Sequence, residues 1–139
     1  MGAHDHREQA RKEGVRVSIL TVSDTKTPET DTSGREALEI FRKFGHTVVG
    51  HTLVPNDRRK ISEAAEKALR EADLVVTIGG TGASRKDVTV EALRPLVEKE
   101  LPGFGELFRS MSAREIGTAA ILSRALLGVT STGRVVVAL

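Results

Sequence analysis

The stretch Asp73-Leu-Val-Val-Thr-Ile-Gly-Gly-Thr-Gly-Ala-Ser-Arg-Lys-Asp-Val-Thr89 decides the fold. It begins as an apolar run, Leu74 to Ile78, rich in Val and Ile and apolar on both faces, the composition of a central strand in a parallel sheet. The run breaks at Gly79-Gly80-Thr81-Gly82 and continues as a polar segment that opens a helix. Glycines at that point free the backbone to take positive φ and let a ligand come close to bare N–H groups. A turn between a buried strand and a helix start is therefore a sound seat for a phosphate. Asp87 adds a carboxylate able to hold a metal ion or orient a phosphoryl group. The spacing is neither the Gly-x4-Gly-Lys-Ser/Thr of a P-loop nor the Gly-x-Gly-x-x-Gly of a dinucleotide fold. A tight turn whose glycines serve geometry alone has the same composition.

Upstream, Val15 to Val22 alternates and then clusters apolar residues as a buried strand does, and it ends abruptly in Ser23-Asp24-Thr25. A loop around Pro28 leads to Ser33-Gly-Arg-Glu36, which has the spacing of a capping box ahead of Ala37, Leu38, Ile40, Phe41 and Phe44; the helix stops at Gly45. Thr47 to Val54 reads as a second strand. Pro55-Asn56-Asp57 then opens a helix with Ile61, Ala64, Ala65, Ala68 and Leu69 at helical spacing.

Downstream of the glycines, Thr89 is placed to cap a helix holding Ala92, Leu93, Leu96 and Val97. Pro102-Gly103-Phe104-Gly105 follows as a connection before a helix through Phe108 and Met111. Residues 118–128 form an apolar stretch broken at Ser123-Arg124, and Arg134 to Leu139 closes as a last strand. The order βαβαβα with short connections predicts an α/β fold, a three-layer αβα domain with a largely parallel central sheet. A polar arm is expected over 1–13 and a single domain over 14–139.

Composition narrows the function. The 139 residues carry 21 Lys+Arg against 19 Asp+Glu, a net charge of +2, with signs alternating along the chain, which argues against a nucleic-acid surface. Four Phe with no Trp or Tyr also leave little for base stacking. There is no cysteine to form a disulfide or ligate a metal. No apolar run approaches the ~20 residues of a membrane span, and the N-terminus lacks the apolar core of a signal peptide. A cytoplasmic protein is expected.

In parallel sheets, ligands lie beyond the carboxyl ends of the strands. Ser23-Asp24, Asn56-Asp57 and the segment from Gly79 to Asp87 then belong to one rim. Each is also an ordinary cap or turn, but their coincidence points to a site.

Thr21-Val-Ser-Asp-Thr25 with Asp31-Thr-Ser-Gly34, Val54-Pro-Asn-Asp57, Thr77-Ile-Gly-Gly-Thr-Gly82 with Arg85-Lys-Asp-Val-Thr89, Pro102-Gly-Phe-Gly-Glu106 and Leu122-Ser-Arg-Ala125 together resemble the MoaB/MogA family of molybdenum cofactor biosynthesis proteins. The resemblance runs from Val15 to Leu139 and is closer to MoaB. It implies a molybdopterin-binding domain, commonly a trimer, with possible contacts to other proteins of the pathway. In active members ATP and Mg²⁺ serve to transfer an adenylyl group onto the terminal phosphate of molybdopterin.

Carried over by position, Gly79, Gly80, Thr81 and Gly82 form the floor for the pterin phosphate and nucleotide. Asp87 matches an essential carboxylate and is the expected Mg²⁺ ligand. Ser23 and Asp24 line the nucleotide side, and Glu106, Ser123 and Arg124 contact pterin or phosphate. Arg85 and Lys86 either supply nearby charge or are solvated.

Two departures stand out. Where active members carry a carboxylate after the strand-ending proline, this chain has Asn56, with Asp57 next, so either Asp57 takes over the catalytic role or metal binding weakens. A non-catalytic molybdopterin carrier is the alternative that Asn56 leaves open. The family also continues past its last strand with a turn and a closing helix, which are expected beyond Leu139.

Overall fold

The protein is described from a computed structural model covering residues 2–5, 8 and 14–139. Much of the expected arm over 1–13 lies outside the described residues. Six strands form one mixed sheet in the order β2-β1-β3-β6-β5-β4. They are β1 (Arg16–Val22), β2 (Thr47–Val54), β3 (Leu74–Ile78), β4 (Lys99–Glu100), β5 (Leu126–Val129) and β6 (Val135–Ala138). Helices α1 (Thr32–Lys43), α2 (Arg58–Leu69), α3 (Thr89–Leu93) and α4 (Pro102–Ile116) connect them, with 3-10 turns at Arg94–Leu96 and Gly117–Leu122.

The first three strands and β6 are mutually parallel, with Thr21 opposite Ile78 and Thr77 opposite Ala138. The β3 segment therefore sits between two parallel neighbours, as its doubly apolar composition requires. Alternation along β1 sends Val17 and Ile19 to one face, against Ala37, Leu38 and Phe41 of α1. Leu20 and Val22 go to the other, into the larger core of Ile61, Ala65, Val75, Val90, Leu93, Leu126 and Val136. The result is the expected three-layer arrangement.

Four local expectations are corrected. The cap of α1 is Asp31, not Ser33: its Oδ1 accepts from the Gly34 amide at 3.0 Å, so the helix begins at Thr32. Thr89 does not cap α3. Its hydroxyl turns back to donate to the Gly79 carbonyl at 2.9 Å, and Val88 holds the cap position without a side-chain bond. Pro102-Gly103-Phe104-Gly105 is the first turn of α4 and not a connection, because proline at the first helical position lacks only an N–H that would have no partner there. Residues 118–128 divide into the 3-10 turn and β5, which runs antiparallel to β6, with Leu126 opposite Ala138. β5 in turn pairs with the two-residue β4, so the far edge of the sheet is antiparallel.

Candidate functional site

Because β1, β2, β3 and β6 run parallel, their carboxyl ends meet at one rim, from which the antiparallel β5 starts. The Gly79 amide donates to the Leu139 carbonyl at 2.9 Å, and the Ser23 amide to the Val54 carbonyl at 2.9 Å, which ties neighbouring strand ends together. The glycine turn needs its glycines. Gly79 and Gly80 take φ of +105° and +69°, in the left-handed half of the map that side chains avoid. A Cβ on Gly79 would stand 2.5 Å from the Val22 carbonyl oxygen, and one on Gly80 would overlap the Thr89 hydroxyl. Beyond Gly79 the amides of Gly80, Thr81 and Gly82 donate to no described residue, although Thr81 is buried. Three consecutive N–H groups thus remain for a ligand at the end of a central strand.

Beside the turn, Asp24 and Asn56 form a closed pair. The Asn56 backbone amide donates to Asp24 Oδ1 at 2.9 Å and its side-chain Nδ2 donates to Oδ2 at 3.2 Å. These two bonds, the backbone one foremost, hold the Asp24 carboxyl below the usual carboxylate range, with help from the charge on Lys86. The Asn56 Oδ1 is buried without a hydrogen-bond partner among the described residues and faces Gly80, 3.1 Å from where a Cβ there would lie. Asp57 points elsewhere: its Oδ1 accepts from the Lys60 amide at 2.9 Å and caps α2. Ser23 Oγ accepts from the amides of Thr25 and Lys26 at 3.2 and 3.0 Å, and so shapes the loop leaving β1.

On the other side of the turn, Asp87 Oδ2 accepts from the Ser84 amide at 3.0 Å and lies against Gly82, where a Cβ would come within 2.6 Å of it. Arg124 spans this loop. Its Nε donates to the Gly82 carbonyl at 2.9 Å, its Nη2 to the Asp87 carbonyl at 3.0 Å, and its backbone amide to the Thr81 carbonyl at 2.9 Å. The guanidinium is met by Glu91 of α3 through both carboxylate oxygens, one from Nη1 and one from Nη2 at 3.2 Å. The bonds between them hold Glu91 below its ordinary carboxyl range and raise Arg124 above its own. A cavity of about 360 Å³ opens here, lined by Ser84, Arg85, Asp87, Glu91 and Arg124. Arg85 and Lys86 are exposed. The Ser123 carbonyl accepts from Arg109 Nη1 at 3.2 Å, and Glu106 is exposed on α4.

Sequence reasoning missed Glu91, whose partner lies across the loop and leaves no local spacing to read. It also missed the role of Asp31, the fully buried cap of α1, whose Oδ2 lies 2.8 Å from His51 Nε2 on β2. Burial raises the Asp31 carboxyl, but the nearby Thr21 hydroxyl, the bond from the Gly34 amide and the contact with His51 outweigh it, and the net shift is downward.

Comparison with known proteins agrees with this architecture. Residues 18–139 match the family described as "Probable molybdopterin binding domain". The chain is 46% identical over 140 residues to Molybdenum cofactor biosynthesis protein B of Bacillus anthracis, covering 99% of this chain and 81% of that one. The chain belongs to the MoaB/MogA family. Within that family it is 40% identical over 132 residues to a protein of Pyrococcus furiosus named Molybdopterin adenylyltransferase, covering 93% of this chain and 76% of the other. A crystal structure of Molybdenum cofactor biosynthesis protein B superposes with a TM-score of 0.86 at 42% identity over 91% of this chain and 80% of that one. A MogA structure superposes at 0.80 with 25% identity, over 89% of this chain and 82% of that one. Similarity to MoaB therefore exceeds similarity to MogA, as the Asp31-Thr-Ser-Gly34 segment suggests.

Proposed function

We propose that this MoaB/MogA-family chain acts in molybdenum cofactor biosynthesis by binding molybdopterin and adenylylating its terminal phosphate with ATP. The observation that carries the reading is the row of free amides at Gly80, Thr81 and Gly82, at the same rim as the Asp24–Asn56 pair. The name of the Pyrococcus relative supports it. In the reaction a phosphate oxygen of molybdopterin attacks the α-phosphorus of ATP. A new P–O bond forms, the bond to the β-phosphate oxygen breaks, and pyrophosphate leaves with the electron pair. Negative charge accumulates on the phosphoryl oxygens, and preorganised amides stabilise it without reorienting. The glycine turn brings backbone rather than side chain to the phosphates, while Ser23 and Asp24 border the nucleotide.

Among the described residues no three His, Cys, Asp or Glu side chains gather as a metal cage. Mg²⁺ needs none, since it is commonly held by one or two carboxylates together with substrate phosphates and water. Asp87 and Asp24 offer hard oxygen donors of that kind, and the orphaned Asn56 Oδ1 is a further acceptor. When bound there with ATP, Mg²⁺ would neutralise phosphate charge. Among the described residues no helix is long and apolar enough to cross a membrane, and the chain is proposed to work in the cytoplasm. It is proposed to assemble as a trimer through α4, with other proteins of the pathway as further partners.

Asn56 favours a second reading, a molybdopterin carrier without transfer, because Asp24 meets an amide where a second carboxylate would add metal affinity. Incubation with molybdopterin, Mg²⁺ and ATP labelled at the α-phosphate separates the two. Label on molybdopterin establishes transfer. Saturable molybdopterin binding with no label overturns it in favour of the carrier.

A further inference from the structure

We propose that Glu91 is a positioning residue: through Arg124 it clamps both ends of the Gly82–Asp87 loop and fixes where the Asp87 carboxylate points. The argument rests on donor geometry. A guanidinium carries five N–H donors in a rigid plane, and Arg124 directs four of them here, two to loop carbonyls and two to Glu91. Gly82 and Asp87 bracket the loop, so one planar group sets the span between its ends. The turn inside is closed by the Ser84 amide on Asp87 Oδ2 and the Asp87 amide on the Ser84 carbonyl at 3.1 Å. Fixing the ends therefore fixes the carboxylate.

Carbonyl oxygens alone would not hold a cation in that orientation, because the Asp87 carboxylate is an alternative anion whose charge already acts on Arg124. The bidentate Glu91 carboxylate occupies the guanidinium edge and keeps Asp87 from being captured as an ion pair. Arg124 is thus committed to the loop, and Glu91 is the group that commits it. The inference depends on the proposed reaction only for what the loop serves; the clamp itself can be read without substrate.

The decisive measurement is amide hydrogen exchange of the free protein at Asp87, Thr89 and Arg124. In Glu91→Gln, exchange at these amides is expected to accelerate about tenfold or more, with β1 and β3 amides unchanged. Unchanged loop exchange overturns the proposal. Should Glu91→Gln fail to fold, Arg124→Lys carries the same reading, since one ammonium cannot span both carbonyls. The exchanged pair Glu91→Arg with Arg124→Glu adds a sharper test. It restores attraction but cannot donate to Gly82 and Asp87 from position 124, so loop protection should stay lost, and its recovery would reduce the clamp to a simple charge pair. If wild-type protein transfers AMP, Glu91→Gln should lower kcat at least tenfold with the KM for ATP nearly unchanged. A loosened loop with unaltered kcat removes the positioning role, while inactivity of the wild type counts against the proposed reaction and leaves the exchange result to judge the clamp.

Discussion

The half of the molecule built on β1, β2 and β3 buries or half-buries most of its large apolar side chains, with Ile40, Phe44 and Val49 exposed, whereas the flank formed by α4 and its 3-10 turn leaves most of its own exposed. Ile61 and Leu93 are fully buried between helices and sheet. On α4, fifteen residues long, only Gly105 is buried. Leu107, Met111 and Ile116 are exposed on that helix, and Ile121 and Leu122 continue the exposure into the following turn, Ile121 reaching 74%. The first half closes its own core. The flank presents consecutive apolar surface of the sort that marks an interaction site, which is why the proposed trimer is assigned to it.

The contrast breaks most directly in the core. Leu93→Ala should cost about 3 kcal/mol in urea unfolding, within the usual range for emptying a packed leucine site. Ile121→Ala in dilute protein should change stability by less than about 0.5 kcal/mol. Equal losses would show that the flank is packed after all.

Asp31 is the next largest effect. Asp31→Ala removes a buried cap and leaves His51 without its partner, an expected loss of about 2 kcal/mol at neutral pH. Because the folded-state pKa of Asp31 is lowered, its contribution is complete above the unfolded value near 3.9 and fades as pH falls through the folded value. The acid limb of the stability profile should therefore flatten in the variant, and a loss that stayed constant down to low pH would contradict this origin.

Met111→Asp probes the flank itself. Sedimentation should show the assembly reduced to a single chain while the thermal midpoint of the monomer stays within a few degrees; an unchanged mass would place the interface elsewhere. Asn56→Asp gives up the Nδ2 bond to Asp24, an expected loss of about 1 kcal/mol. It sets a carboxylate beside Asp24, which should raise the Asp24 pKa by like-charge repulsion and increase AMP transfer if the missing charge limits the wild type. No gain in transfer would show that Asn56 is not the limiting group.

The same two regions differ in how far they could be read from residues alone. β2 and β3 begin and end where their apolar runs do, at Thr47–Val54 and Leu74–Ile78. β4 is two charged residues, Lys99 and Glu100, and carries no periodicity at all. β5 is Leu-Leu-Gly-Val, indistinguishable in sequence from the apolar turn before it; what makes it a strand is the pairing with β6. At the rim, Ser23, Asp24, Asn56 and the glycines were legible as polar strand ends that parallel topology must gather. The division of labour among them was not. The Asp57 cap is local, three residues from its partner amide, and a helix start at Asp57 was legible; that Arg124 faces backbone carbonyls and that Glu91 holds it are tertiary facts without a local signature.

The three glycines of the turn are constrained for different reasons, and this shapes how the loop can change over evolutionary time. At Gly79 and Gly80 both the dihedral angle and the neighbouring atoms forbid a side chain, so no single compensating change elsewhere opens these positions. Gly82 has an ordinary backbone and is closed only by the Asp87 carboxylate. Positions 82 and 87 are therefore linked in inheritance: a lineage that abandons the acid at 87 is released to acquire alanine at 82, and one that keeps the acid is held to glycine.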